Sequence, residues 1–196
     1  VEVWCEKDAV TGSIQALCDS FGVRVEPIRG FDSTTKIHEA GQRFFEALDN
    51  GKKLAVLYLG DHDPSGKDIE RDLWDRLMPY FHPEVFSASR RSISRLAIFA
   101  DDIKRFRLPP LKVKTKDPRA RGFLKTHGNR AVELDALPPT ELRERIKKAI
   151  ENQIDPVAWD RAMVVEAAQQ ETCRNYASTI QRLMAKDNNE KEEKYT

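Results

Sequence analysis

Apolar and polar positions along the chain fall into short alternating blocks. Val1–Cys5 alternates and is β-rich, which predicts a strand. Asp8 to Phe21 places Ile14, Leu17, Cys18 and Phe21 on one helical face and meets a stop at Gly22. Val23–Ile28 reads as a second strand, followed by an Arg29-Gly30 turn. A helix capped by Ser33 or Thr34 runs to about Asp49 and ends at Asn50-Gly51. Leu54–Leu59 is apolar at every position, the pattern of a strand buried on both faces in a parallel sheet. Ser65-Gly66-Lys67-Asp68 resembles a capping box for a helix reaching about Tyr80. Val85–Ala88 and Leu96–Phe99 are shorter strand candidates. The β-α-β-α-β-α order predicts an α/β fold: an open, mostly parallel sheet with helices on both faces.

Past Phe99 the character changes. Ile103–Arg130 carries ten Lys or Arg against one acid, Asp117, and Pro109, Pro110 and Pro118 work against long helices. Ala131–Leu134 reads as a further strand and Pro139–Ile150 as a helix. Asp155-Pro156 supplies an N-cap and a first-turn proline for a last helix to about Ala185. Asp187–Thr196 is polar and reads as frayed. The organisation expected is an α/β domain over 1–150, a helical extension over 151–185 and a flexible tail over 186–196.

Composition narrows the picture modestly. A 40% hydrophobic content supports a real core, and a net charge of +1 names no partner. Cys5, Cys18 and Cys173 lack metal-like spacing and fit neither a zinc site nor a disulfide framework, which points to a reducing, cytoplasmic compartment. No apolar run approaches the ~20 residues that span a bilayer, so no membrane partner is expected. Val1 begins inside a strand-like run, as expected for a fragment of a longer protein.

The chemistry concentrates at Gly60-Asp61-His62-Asp63-Pro64-Ser65-Gly66. Residues two apart in extended chain point to one side, so Asp61 and Asp63 can face one space. Ligands in open α/β sheets collect at the carboxyl ends of strands, where Glu6 also falls. Three carboxylates there suit Mg2+ or Mn2+ and phosphoryl chemistry, with Glu6 as metal ligand or general acid/base. Asp-x-Asp-Pro is also an ordinary turn in which Asp61 caps the next helix, and spacing alone leaves both readings open. Alternation turns His62 away from the acids and into packing. Ser65 reads as a cap rather than a nucleophile. Lys7 can touch a phosphate or pair with an acid. Glu133 and Asp135 form a second same-face acidic pair, read as salt-bridged to the basic segment in preference to binding a second cation. Lys112, Lys114, Lys116, Arg119 and Arg121 can neutralise phosphates, and without interleaved aromatics they would read backbone rather than bases.

Cys5-Glu6-Lys7-Asp8-Ala9-Val10 together with Leu59-Gly60-Asp61-His62-Asp63-Pro64-Ser65-Gly66 resembles the Toprim domain. That catalytic α/β domain is shared by topoisomerases, bacterial primases and some nucleases. Its pattern is a Glu after the first strand and Asp-x-Asp after the third. The Glu6-Lys7 pair and the Pro64-Ser65-Gly66 continuation are most similar to the A subunit of topoisomerase VI and its meiotic double-strand-break relatives. Arg29-Gly30-Phe31, Asp102-Ile103-Lys104 with Leu108-Pro109, and Val132-Glu133-Leu134-Asp135-Ala136-Leu137 match that branch more loosely. The resemblance covers about Val1–Ile150. It implies Glu6, Asp61 and Asp63 as catalytic and metal-binding residues, Mg2+ or Mn2+ as cofactor and DNA as partner. It also implies a winged-helix-type tyrosine domain or an ATPase subunit as protein partners. In that family the nucleophilic Tyr precedes the Toprim domain, and none of Tyr58, Tyr80, Tyr176 or Tyr195 matches it.

The expected function is therefore Mg2+-dependent cleavage or rejoining of DNA phosphodiesters within a larger topoisomerase-like protein. The alternative is a non-catalytic DNA-binding module that needs a partner for chemistry. An aspartyl-phosphate enzyme of the haloacid-dehalogenase type would carry its Asp-x-Asp after the first strand, not the third. A dinucleotide site would need a Gly-x-Gly-x-x-Gly turn, which is missing after the first strand.

Overall fold

A computed structural model describes residues 1–28, 34–80 and 91–193. The chain divides into two compact units, Val1–Gln153 and Ile154–Thr196. The first contains β1 (Glu2–Cys5), α1 (Asp8–Ser20), β2 (Arg24–Pro27), α2 (Thr34–Asp49), β3 (Leu54–Leu59) and α3 (Pro64–Leu77). It continues through β4 (Arg91–Ala97), α4 (Ala100–Arg105), α5 (Ala120–His127) and α6 (Pro139–Glu151).

The four strands form one sheet in the order β2-β1-β3-β4, all parallel. Val3 pairs with Val25 on one side and with Leu57 on the other. The winding direction thus reverses between β1 and β3. This reversal opens a crevice at their carboxyl ends, the usual ligand position in such sheets.

Side-chain alternation sorts the core into two layers. Trp4, Val56 and Tyr58 pack beneath α2 and α3, against Ile37, Phe44, Leu48, Ile69 and Leu73. Trp4 stacks on Phe44 with ring centroids 5.7 Å apart. The alternate residues Val3, Cys5, Leu57 and Leu59 are equally buried and face the other side. There α1 contributes Val10, Ile14 and Cys18, and packs against α6 with its Leu142, Ile146 and Ile150. β3 is buried at all six positions because both faces are covered.

The helix after β3 starts differently from the expectation. Asp63, not Ser65, is its N-cap: the Gly66 N–H donates to Asp63 Oδ1 at 2.7 Å, and Pro64 takes the first helical position. Proline fits there because its missing N–H would have no intrahelical partner. β4 begins five residues earlier than the predicted Leu96 and ends at Ala97. Ala131–Leu134 is not a strand. It makes only isolated bridges, His62 to Val132 and Leu111 to Ala131, before a tight turn at Leu134–Ala136. Those bridges and a small cluster of Val113, Ala120, Phe123 and Ala131 hold the proline-rich basic segment in place. Arg29-Gly30, Ser33 and Val85–Ala88 lie outside the described residues.

The second unit is α7 (Pro156–Glu193), a single helix of 38 residues. Asp155 caps it, accepting from the N–H groups of Val157 and Ala158. It runs past Ala185 through most of the predicted tail, since neither Gly nor Pro interrupts it. Among the described residues no helix, α7 included, is long and apolar enough to cross a membrane.

Candidate active site

The ends of β1 and β3 lie side by side, so Glu6 and Asp61 meet. The Asp61 N–H donates to Glu6 Oε2 at 3.0 Å, and the Glu6 N–H donates to the Leu59 carbonyl at 3.0 Å. The Tyr58 hydroxyl reaches Glu6 Oε2 at 3.3 Å and the Gly66 carbonyl at 3.2 Å, so its single proton is shared between them. Asp61 is 7% exposed and both its oxygens are engaged. Oδ1 accepts from the Leu134 N–H at 2.7 Å, and Oδ2 faces Lys7 Nζ at 3.3 Å. Asp61 therefore is not the helix cap, and Asp63 fills that role.

Lys7 pairs with acids in this state: its ammonium also lies 3.4 Å from Glu133 Oε2. This corrects the expectation for the second acidic pair. Glu133 bonds to Lys7 rather than to the basic segment, and Asp135, in the Leu134–Ala136 turn, adds its charge at the same ammonium.

The titration of these groups follows from burial. Burial, then the Asp61 charge, pushes the Glu6 carboxyl above its ordinary range. Burial also pushes Asp61 up, although the Leu134 N–H and Lys7 pull the other way. Burial works against the Lys7 ammonium, but Asp61 and Glu133 outweigh it and raise that group. The Tyr58 phenol, fully buried beside Glu6, is pushed far up and stays protonated.

His62 points away from the acids. It is 1% exposed and packs edge-on against Phe123 and His127, at ring-centroid distances of 5.2 and 5.1 Å. Burial and the nearby Lys67 charge lower it to about 4, so it is neutral at neutral pH.

Arg95 on β4 is the residue that sequence reasoning missed. Its side chain is 4% exposed and its guanidinium binds the turn from beneath. Nη1 donates to the carbonyls of Gly60 at 2.9 Å, Asp61 at 3.2 Å and Ala97 at 3.2 Å. Nη2 donates to the Gly66 carbonyl at 2.7 Å, and Nε to Glu70 Oε2 at 2.8 Å. One planar fork thus sets the backbone that carries Asp61 and the start of α3. Nothing in the sequence separates Arg95 from the other arginines, and the predicted strand began after it.

Gly66 explains why a glycine follows Pro64-Ser65. A Cβ there would land on the Asp61 carbonyl oxygen and press against Glu6 Oε2. We expect Gly66→Ala to cost about 1–3 kcal/mol by overpacking and to shift Glu6. Urea denaturation measures the cost, and an unchanged midpoint would contradict this placement.

The basic segment borders the acidic turn. Asp63, Pro64, Lys112, Lys114 and Glu133 line one small cavity of 80 Å³. Lys112, Lys114, Lys116 and Arg121 are exposed. Arg119 is half-buried and already holds Asp117, with Nε to Oδ1 at 2.9 Å, and Asp68 at 3.4 Å. A larger cavity of 630 Å³ lies beside β4 and α6, away from these acids. Its Arg145 is locked bidentately on Asp102, at 2.6 and 2.8 Å, which gives that pair a structural role.

The donors at the β1–β3 crevice are all oxygen, which suits a hard cation. Among the described residues no three His, Cys, Asp or Glu side chains form a ready metal cage. Mg2+ is commonly held by one or two carboxylates plus waters and substrate phosphate, so Glu6 and the outer oxygen of Asp63 fit that mode. Compared with protein-family models and with curated proteins, the chain matches none.

Proposed function

We propose that this chain performs Mg2+- or Mn2+-dependent phosphodiester chemistry on DNA, as a Toprim-type catalytic domain of a larger topoisomerase-like protein. The observation that carries the reading is the meeting of Glu6 and Asp61 at the β1–β3 crevice, with Asp63 on the same turn and Lys112 and Lys114 beside it. Acids alone would repel DNA, and the neighbouring lysines offset that repulsion.

Glu6, with Asp63, would hold the cation, which when bound neutralises charge developing on the phosphate. Asp61 sets the geometry: its N–H orients Glu6, while its carboxylate keeps Lys7 and the Leu134 N–H in place. Burial and the Asp61 charge raise the Glu6 carboxyl, the direction that favours a role as general acid or base. Tyr58 supports Glu6 and does not attack, since it is fully buried and stays protonated. The nucleophile is water or a tyrosine of another domain. Free thiols at Cys5, Cys18 and Cys173 go with a reducing, cytoplasmic setting.

One observation favours a second reading. Both Asp61 oxygens are engaged and no ready three-donor cage is present among the described residues. That would suit a DNA-binding module that gains chemistry only from a partner. Nicking of supercoiled plasmid separates the two. The first reading expects Mg2+- or Mn2+-dependent nicking that is lost in Glu6→Gln. DNA binding without nicking at any metal concentration would leave the second.

A further inference from the structure

α7 makes up the second unit by itself, and a single helix has no second layer on which to bury an apolar face. From Pro156 to Ala185 no residue is buried, and only Trp159 and Ser178 are half-buried. Ile180 is 56% exposed and Leu183 62%. Helices in proteins owe most of their stability to the packing of an amphipathic face, so an exposed apolar stripe of this length calls for a partner.

The stripe and the charges around it name that partner. Met163, Glu166, Gln170, Cys173, Ala177 and Ile180 follow one another at alternating steps of three and four, the spacing of a two-helix seam. The seam is polar at Glu166 and Gln170 and small at Cys173 and Ala177. A parallel copy in register would set Glu166 against Glu166 and Gln170 against Gln170. An antiparallel copy sets Met163 against Ile180, Glu166 against Ala177 and Gln170 against Cys173, so each long polar side chain meets a small one. Charge selects the same direction. Pro156–Glu171 carries Asp160, Glu166 and Glu171 against Arg161, a net charge of −2. Thr172–Ala185 carries Arg174 and Arg182 and no acid, a net charge of +2. A parallel pair opposes like halves, and an antiparallel pair joins unlike ones. Arg174 lies one turn before Ala177 and so comes within reach of the facing copy's Glu166.

We propose that this face of α7 is an interface with a second copy of the chain, the two helices antiparallel and centred between Glu171 and Thr172. The contact is isologous: each copy gives its acidic half to the other's basic half. From Met163 to Ile180 the helices would lie side by side for about 27 Å. Tyr176 and Leu183, both exposed, flank the seam and widen it. Val164, also exposed, projects from the opposite face. The pairing stands apart from the DNA reading, since it uses neither the acids of the β1–β3 crevice nor a cation.

The test is sedimentation equilibrium of the whole chain, in EDTA and a reducing agent. The wild type should approach twice its 22.5 kDa chain mass as concentration rises. Ile180→Glu and Leu183→Glu should each weaken association by about tenfold or more, because each puts a charge into the seam. Val164→Glu, on the far face, should leave association unchanged. The near-UV circular dichroism of the buried Trp4 shows that the first unit stays folded in each variant. Oxidation reads the direction in a Cys173→Ser background, where the remaining thiols, Cys5 and Cys18, are buried. Met163→Cys mixed with Ile180→Cys should form a disulfide between copies. Neither should cross-link alone, since antiparallel pairing holds the two copies of each position about 25 Å apart. A wild type that stays monomeric at every concentration, or a dimer that survives both glutamates, would overturn the interface. An equal loss in Val164→Glu would overturn the assignment to this face. Self-cross-linking of Met163→Cys would overturn the antiparallel direction.

Discussion

Glu6→Gln is expected to abolish metal-dependent cleavage and, at neutral pH, to stabilise the fold. The loss of activity should be about 10²–10⁴-fold if Glu6 transfers a proton, and greater if it also holds the cation. The gain in stability follows from burial. Glu6 is pushed above its ordinary value of 4.5, first by burial and then by the Asp61 charge. A carboxyl raised in the folded state contributes stability that is complete below the unfolded value and is lost as pH rises through the folded one. At pH 7 the charge is a cost. Glutamine removes that charge, and its carbonyl can still accept from the Asp61 N–H and the Tyr58 hydroxyl, the two bonds Glu6 makes now. Urea denaturation at pH 7 should therefore favour the variant, and the advantage should vanish below about pH 4.5. A variant no more stable at pH 7, or equally favoured at both pH values, would contradict the placement of Glu6.

The second large effect is on stability alone. Arg95→Met should cost about 3–5 kcal/mol, because it removes a buried guanidinium on which four backbone carbonyls and the partly exposed Glu70 depend, each buried acceptor left unpaired costing about 1–3 kcal/mol before the backbone relaxes. The change strands Glu70 and takes the donor from the carbonyls of Gly60, Asp61, Gly66 and Ala97. For a chain of this size that is roughly 6–20 °C in melting temperature. Arg95→Lys should recover only part of it, because an ammonium cannot spread five planar donors over these acceptors. A melting temperature within a degree of wild type in Arg95→Met would mean that the guanidinium does not organise the turn.

These two residues also mark how far the sequence can be read. β3 was legible to the residue because a parallel strand covered on both faces must be apolar throughout. Glu6 and Asp61 were placed at one sheet edge because the β-α-β order dictates which strand ends share a side. The role of Asp63 was partly legible. Pro64 marks the first helical position, but Ser65-Gly66-Lys67-Asp68 offered a competing cap of similar appearance. Arg95 was not legible, because its function depends on carbonyls that converge only after β3, α3 and β4 have packed. Glu133 was misread for a related reason: its partner Lys7 lies far away in sequence and is brought close by the end of β1. The loosely patterned segments proved structural. Leu134 lends its N–H to Asp61, and Asp102 anchors Arg145.

The central claim is that the acids at the β1–β3 crevice hold a hard cation. Mn2+ binding followed by electron paramagnetic resonance tests it most directly, comparing wild type with Asp61→Asn/Asp63→Asn at neutral pH. We predict weak binding at one site in the wild type, lost in the double variant with the fold retained. Equal Mn2+ affinity in the two proteins would contradict the claim.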